Sequence, residues 1–201
     1  AAARPALRFA FSRPGFLSFK TDETGNFVPG PLGVFARTRS AFLARIEANQ
    51  LSEGVSAVWQ LPELEQLAGQ HPLGGLHVWQ RDTQLPGEGG IEPQVTPLAR
   101  EVRAALVAAR DELGFRDALR FGPGEVAQAG DVVLDVVLVE PNQWWIGWHR
   151  AESRVERWPG GMLPVAMPED AVSRAYLKME EALKWGSLPT TKGEVWAELG
   201  C

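Results

Sequence analysis

The sequence predicts a mixed α/β (α+β) protein built from more than one unit, and three observations carry that prediction. Short β-branched and aromatic runs alternate with helical patterns instead of segregating into all-strand or all-helix halves. One helix, over residues 97–113, is marked at its start, along its face and at its end. A Pro/Gly-rich stretch, residues 158–168, then separates most of the chain from a last helix and strand.

Taken in order, residues 7–12 (LRFAFS) read as a first strand, closed by the Arg13-Pro14-Gly15 turn, and residues 16–20 as a second. Two Pro and three Gly make residues 25–33 a loop. Residues 40–49 place Phe42, Leu43 and Ile46 at helical spacing, so a helix is expected there, and residues 55–61 look like a strand. A short strand follows over residues 76–80. The marked helix has Thr96 as N-cap, Pro97 at the first helical position and Gly114 to end it. Its apolar face is Leu98, Val102, Ala105, Leu106, Ala109 and Leu113. In the run 131–139, Val132, Leu134, Val136 and Leu138 share one strand face, with Asp131 and Asp135 on the other. Pro141-Asn142-Gln143 turns the chain into a return strand, residues 144–149.

The 201 residues are 45% hydrophobic, enough to bury a real core. No run approaches the roughly 18 apolar residues of a membrane span. The single cysteine, Cys201, leaves no intramolecular disulfide and fits a cytoplasmic protein. The start, Ala1-Ala2-Ala3-Arg4-Pro5, has no Met and no apolar signal core. A strand running into Gly200-Cys201 is an unusual terminus, so the chain is expected to be part of a longer protein. Net charge is −5, against a globally basic nucleic-acid footprint. Residues 1–60 nevertheless carry seven Lys/Arg against four acids, so any RNA contact must come from local patches.

Two motifs carry chemistry. In residues 173–182 (SRAYLKMEEA), with Asp170 as cap, the helical period gathers Val172, Ala175, Tyr176, Met179, Ala182 and Leu183 into an apolar stripe. Lys178 falls about 110° from the centre of that stripe, at its margin. Arg174 and Glu181 lie on the same flank. An amine held there can lose its proton near neutral pH. The plainer alternative is a solvated face with an i,i+3 ion pair. The second motif, residues 194–201 (EVWAELGC), reads as a strand delivering a glycine turn, the arrangement by which a Rossmann-like sheet meets its cofactor.

A Ser-Arg-x-x-x-Lys-Met-x-Glu helix, a short spacer, and a strand ending in Glu198-Leu199-Gly200 together resemble the entry to FtsJ-like (RrmJ-type) RNA 2′-O-ribose methyltransferases. The RlmM-type branch is the nearer likeness, through Arg13-Pro14-Gly15-Phe16, Phe35-Ala36-Arg37, the apolar hairpin with Gly147, and Asp170 through Ala182. That resemblance implies a ferredoxin-like module over residues 1–65, a THUMP-like RNA-binding domain over 66–157, a linker over 158–168, and the start of a Rossmann-like methyltransferase domain over 169–201. It implies S-adenosylmethionine as cofactor and ribosomal RNA, of the large subunit, as partner. Lys178 matches the first lysine of the family's Lys-Asp-Lys-Glu tetrad, and Glu198, Gly200 and Cys201 match the opening of the cofactor motif. Asp is commoner in the family where Glu198 stands. The other tetrad members and most of the cofactor site are expected beyond Cys201, so the 201 residues alone are expected to be inactive.

Trp144, Trp145 and Trp148 fit either a base-stacking platform or a core face. Core is expected for Trp144, Ile146 and Trp148, packed on the 97–113 helix, with Trp145 as the exposed ring. Arg150, Arg154, Arg174 and Trp145 are candidate RNA contacts, while Arg100, Arg103 and Arg110 read as solvated surface. His71, His77 and His149 lack ligand spacing, so no metal is expected. Two rival functions remain: a non-enzymatic RNA-binding module, and an α/β protein-interaction domain whose tryptophans meet a partner.

Overall fold

Eight consecutive buried residues, Val132 to Val139, put the central strand β5 (Val132–Glu140) between two covered faces. Antiparallel to it runs β6 (Gln143–Arg150), joined through the Pro141-Asn142 turn as expected. On the other side, parallel to it, runs β4 (Leu73–Gln80). The fourth strand, β3 (Ala41–Glu47), pairs antiparallel with β6, giving the order β3-β6-β5-β4. A separate hairpin comprises β1 (Leu7–Arg13) and β2 (Phe16–Thr21), both as expected. The structure is a computed structural model, and the residues it describes are 7–21, 36–84, 94–112, 119, 121, 124, 126–165, 175–186, 191 and 193.

Two segments exchange their expected types. Residues 41–47 form a strand paired with β6, not a helix, and a bulge between Phe42 and Ala44 resets the strand's alternation. Leu43, Ala44 and Ile46 therefore all face the core, a spacing that mimics a helical stripe. Residues 55–61 were expected as a strand from Val55 and Val58, yet α1 (Leu51–Trp59) is a helix. Its buried positions Gly54, Val55, Val58 and Trp59 keep the i, i+3, i+4 pattern, which outweighs β-branching. Glu53 accepts the backbone N–H of Gln50 at 3.3 Å and closes the first turn. A further helix that composition did not reveal, α2 (Pro62–Gln70), starts on Pro62 and buries Leu64 and Leu67.

The marked helix, α3 (Pro97–Glu112), connects β4 to β5, and Thr96 Oγ1 accepts the Ala99 N–H at 3.2 Å as its cap. Helices α1, α2 and α3 cover one sheet face, where Leu134, Val136, Leu138, Trp144 and Ile146 meet Val58, Leu67, Val102 and Leu106. Trp148 packs against the same cluster, so the inward tryptophan face stands as expected. Gly54 admits this packing: a Cβ there would lie 2.6 Å from the Trp144 ring. Trp59 Nε1 donates to Leu106 O at 3.1 Å and ties α1 to α3.

The opposite face carries Trp79, Val137, Val139 and Trp145. Phe11 and Phe16 of the β1–β2 hairpin cover part of it, and residues 155–162 cover another part. Pro159, Gly160, Gly161 and Met162 are buried, so the front of the expected 158–168 linker is structural cover. Gly160 lies at φ 59° with the Trp79 ring 2.9 Å from where a Cβ would be, so both conformation and space require glycine. The chain divides into two compact units, Ala1–Met162 and Leu163–Cys201. The four-stranded sheet lies wholly in the first and crosses residue 65, because β3 pairs with β6. In the second unit α4 (Ala175–Gly186) is described. Among the described residues no helix is long and apolar enough to cross a membrane.

Gly147 sits opposite Asp135 on the second face, and a Cβ there would meet Ala41 O at 2.6 Å and Ser40 Cβ at 3.0 Å. Backbone cannot yield as a side-chain tip can. Gly147→Ala is expected to destabilise the protein by about 1–3 kcal/mol, read from the urea midpoint, because it overpacks a strand crossing.

Candidate functional site

Lys178 stands on α4 and is exposed, as the solvated-face alternative has it and not partly desolvated at a stripe margin. Met179, expected in the buried stripe, is 48% exposed, and Ala182 is exposed too. Lys184, on the same helix, pairs with Glu180 at 3.2 Å and donates to Pro164 O. Lys178 forms no ion pair among the described residues. Arg174, Glu198, Gly200 and Cys201, with the Asp170 cap and the expected 195–199 strand, lie outside the described residues.

Arg150 and Arg154 are exposed, and Arg150 Nη1 donates to Gly130 O at 2.9 Å. Trp145, expected as the exposed ring, is half-buried instead. It stacks on Phe11 at 5.2 Å between centroids and meets Phe16 at 5.1 Å and Phe42 at 5.2 Å. The hairpin causes this by covering the face that the strand alternation left open. Arg103 is likewise not solvated surface: it is buried, and its guanidinium donates to Leu76 O and Gly124 O. Arg110 donates to Phe121 O and lies over that ring.

Among the described residues, the densest polar chemistry gathers around Asp135, the charge set within the apolar run 132–139. His77 on β4, Asp135 on β5 and His149 on β6 gather on the second sheet face, each buried to 5% exposure or less. Register explains the meeting. His77 is the direct partner of Asp135, and His149 stands two residues beyond Gly147, the partner of Asp135 on the other side. Strand alternation sends all three side chains to one face. His149 Nδ1 lies 2.6 Å from Asp135 Oδ2, and its Nε2 lies 2.7 Å from Glu156 O. A backbone carbonyl only accepts, so Nε2 donates, and the Nδ1–Oδ2 contact holds a second proton. Ser40 Oγ donates to the same Oδ2 across the gap Gly147 leaves. Glu156 pairs with Arg39 at 3.3 Å and accepts the N–H groups of Glu152 and Ser153.

Burial by itself would lower the pKa of His149, but the Asp135 charge and the bonds to Asp135 and Glu156 O outweigh it and raise the value to about 9. His77 goes the other way. Burial lowers it to about 4, opposed by Asp135 and reinforced by the charge of His149, with a weak contribution from the Arg157 backbone. Its Nδ1 is 4.0 Å from Asp135 Oδ1, and at neutral pH that contact is no ion pair. Burial works against ionised Glu156, yet the Ser153 bonds and Arg39 hold its carboxyl below the usual range. The cluster thus keeps one imidazolium and one neutral imidazole on two sides of one carboxylate.

No family model and no curated protein matches the chain.

Two opposed histidines give stability a maximum near pH 6.5, the ordinary histidine value. Below it the unfolded chain takes a proton that folded His77 refuses until about pH 4, so stability falls with acid. Above it the unfolded chain releases a proton that folded His149 keeps until about pH 9, so stability falls with alkali. Urea midpoints across that range should show both arms, with His77→Gln flattening the acid arm and His149→Gln the alkaline one. Asp135→Asn breaks a buried pair and should cost roughly 3 kcal/mol at neutral pH.

Proposed function

We propose that this chain is the RNA-handling front of an S-adenosylmethionine-dependent RNA 2′-O-ribose methyltransferase acting on ribosomal RNA. In this reading Ala1–Met162 comprises the ferredoxin-like and THUMP-like parts, and Leu163–Cys201 opens the Rossmann-like catalytic domain. The observation that carries it is Lys178: an exposed amine on α4, with no ion pair among the described residues, inside the residue pattern that resembles the FtsJ-like entry. An ammonium already locked to a carboxylate, as Lys184 is to Glu180, is poorly placed to engage a ribose hydroxyl. A free one can approach and orient the hydroxyl, and once it has given its own proton to solvent the neutral amine can accept the hydroxyl proton, with geometry contributing as much as basicity.

RNA contact falls to the exposed Arg150 and Arg154 in this reading. Trp145 is not among the contacts, since Phe11 already occupies a ring face. The rival protein-interaction reading draws on one observation of its own. Leu7, Phe9, Leu17 and Phe19 of the β1–β2 hairpin are each at least half exposed.

In the complete enzyme, Lys178→Ala should lower methyl transfer to ribose by about a hundredfold or more while leaving RNA affinity unchanged. Undiminished transfer would remove the reading. The 201 residues alone should show neither turnover nor measurable S-adenosylmethionine binding. They should bind structured RNA in a salt-sensitive way, and Arg150→Ala with Arg154→Ala should reduce the salt slope by about two. No affinity even at low salt would transfer the case to the interaction domain.

A further inference from the structure

We propose that His77, Asp135 and His149 form a binding site for a divalent transition-metal ion of the zinc type, independent of any methyl-transfer chemistry. Two imidazole nitrogens and a carboxylate are the donor set that borderline metals take, and here one atom of each residue lies within 4.8 Å of the others. Each residue comes from a different strand of one sheet, so the donors are held by paired backbone, not by loops.

What points to a ligand is the state of the donors. Both ring nitrogens of His77, 1% exposed, and Oδ1 of Asp135 lack a partner in hydrogen-bond geometry among the described residues, the Arg157 backbone making no more than a weak contact with His77. Buried polar atoms are seldom left so, because desolvating them without a partner costs free energy. His149 is built as a ligand is. Its Nε2 donates to Glu156 O, fixing ring and tautomer, and its Nδ1 faces Asp135. Ser40 Oγ, bonded to Oδ2, orients the carboxylate.

The donors must draw together, the widest separation in the set, up to 4.8 Å, closing by as much as about 1.5 Å. An ion about 2.0–2.1 Å from each donor holds them roughly 3.3 Å apart. The His77 Nδ1–Asp135 Oδ1 separation of 4.0 Å must close and the His149 Nδ1–Asp135 Oδ2 separation of 2.6 Å must open, each by less than about 1 Å. The proton shared between His149 Nδ1 and Asp135 leaves to solvent as the ion enters, while the proton on Nε2 stays. In its absence that shared proton holds part of the cluster together.

The chain, stripped with a chelator, should be titrated with Zn²⁺ by calorimetry and followed by long-range ¹H–¹⁵N spectra of its histidines. One equivalent should bind, the Nδ1 resonances of His77 and His149 should move together, and His77→Gln should weaken binding at least tenfold. His71→Gln should leave binding unchanged, since His71 lies elsewhere, against Trp148. The spectra decide even if the His77 variant does not fold. Zn²⁺ shifting neither His77 nor His149, or affinity indifferent to His77→Gln in a folded protein, would mean that the cluster holds protons or water only.

Discussion

The carboxylate of Asp135 organises the molecule around itself. It is fully buried in the central strand, whose other buried residues are all Val or Leu. A charge there is tolerable only if neighbours replace the water it lost. Ser40 arrives from the segment before β3, and His149 from β6. His149 then passes its second nitrogen to Glu156 O, and the Glu156 side chain holds Arg39. One charge thus ties the entry to the edge strand, the central hairpin and the covering turn into a single polar seam across a face that would otherwise be uniformly apolar.

That seam shapes the packing beside it. Trp79, Val137, Val139 and Met162 lie on one side, and Ala127, Val133 and Ala151 on the other. Neither cluster is large. The helix-covered face, by contrast, is one continuous core from Ile46 through Leu106 to Trp144. The two faces therefore differ in kind: a greasy one that supplies most of the hydrophobic stabilisation, and a mixed one that fixes which covering segments may lie where.

Much of this was legible in the amino-acid order. The 132–139 alternation, the Pro141-Asn142 turn, the Thr96-Pro97 start and the hairpin at Arg13-Pro14-Gly15 use local signals, and those hold locally. Residues 41–47 and 55–61 misled because over seven residues a bulged strand and a helix leave similar spacings. Lys178 was found by its motif, yet its exposure depends on packing around α4 that a periodicity cannot show. The His77–Asp135–His149 meeting needed β4 and β6 on opposite sides of β5, and a pairing order is not written in any one segment. The one signal available was Asp135 itself, a charge amid Val133, Leu134, Val136 and Val137.

By composition alone Gly160 and Gly161 belong to a spacer between domains. Their positive φ angles instead fold Pro159–Gly161 into a cap pressed on Trp79 and the Arg37 carbonyl. Anyone dissecting this protein should accordingly sever it after Met162. A cut placed at Trp158, where the Pro/Gly content invites one, would peel the lid from a tryptophan and leave the polar seam's flank wet.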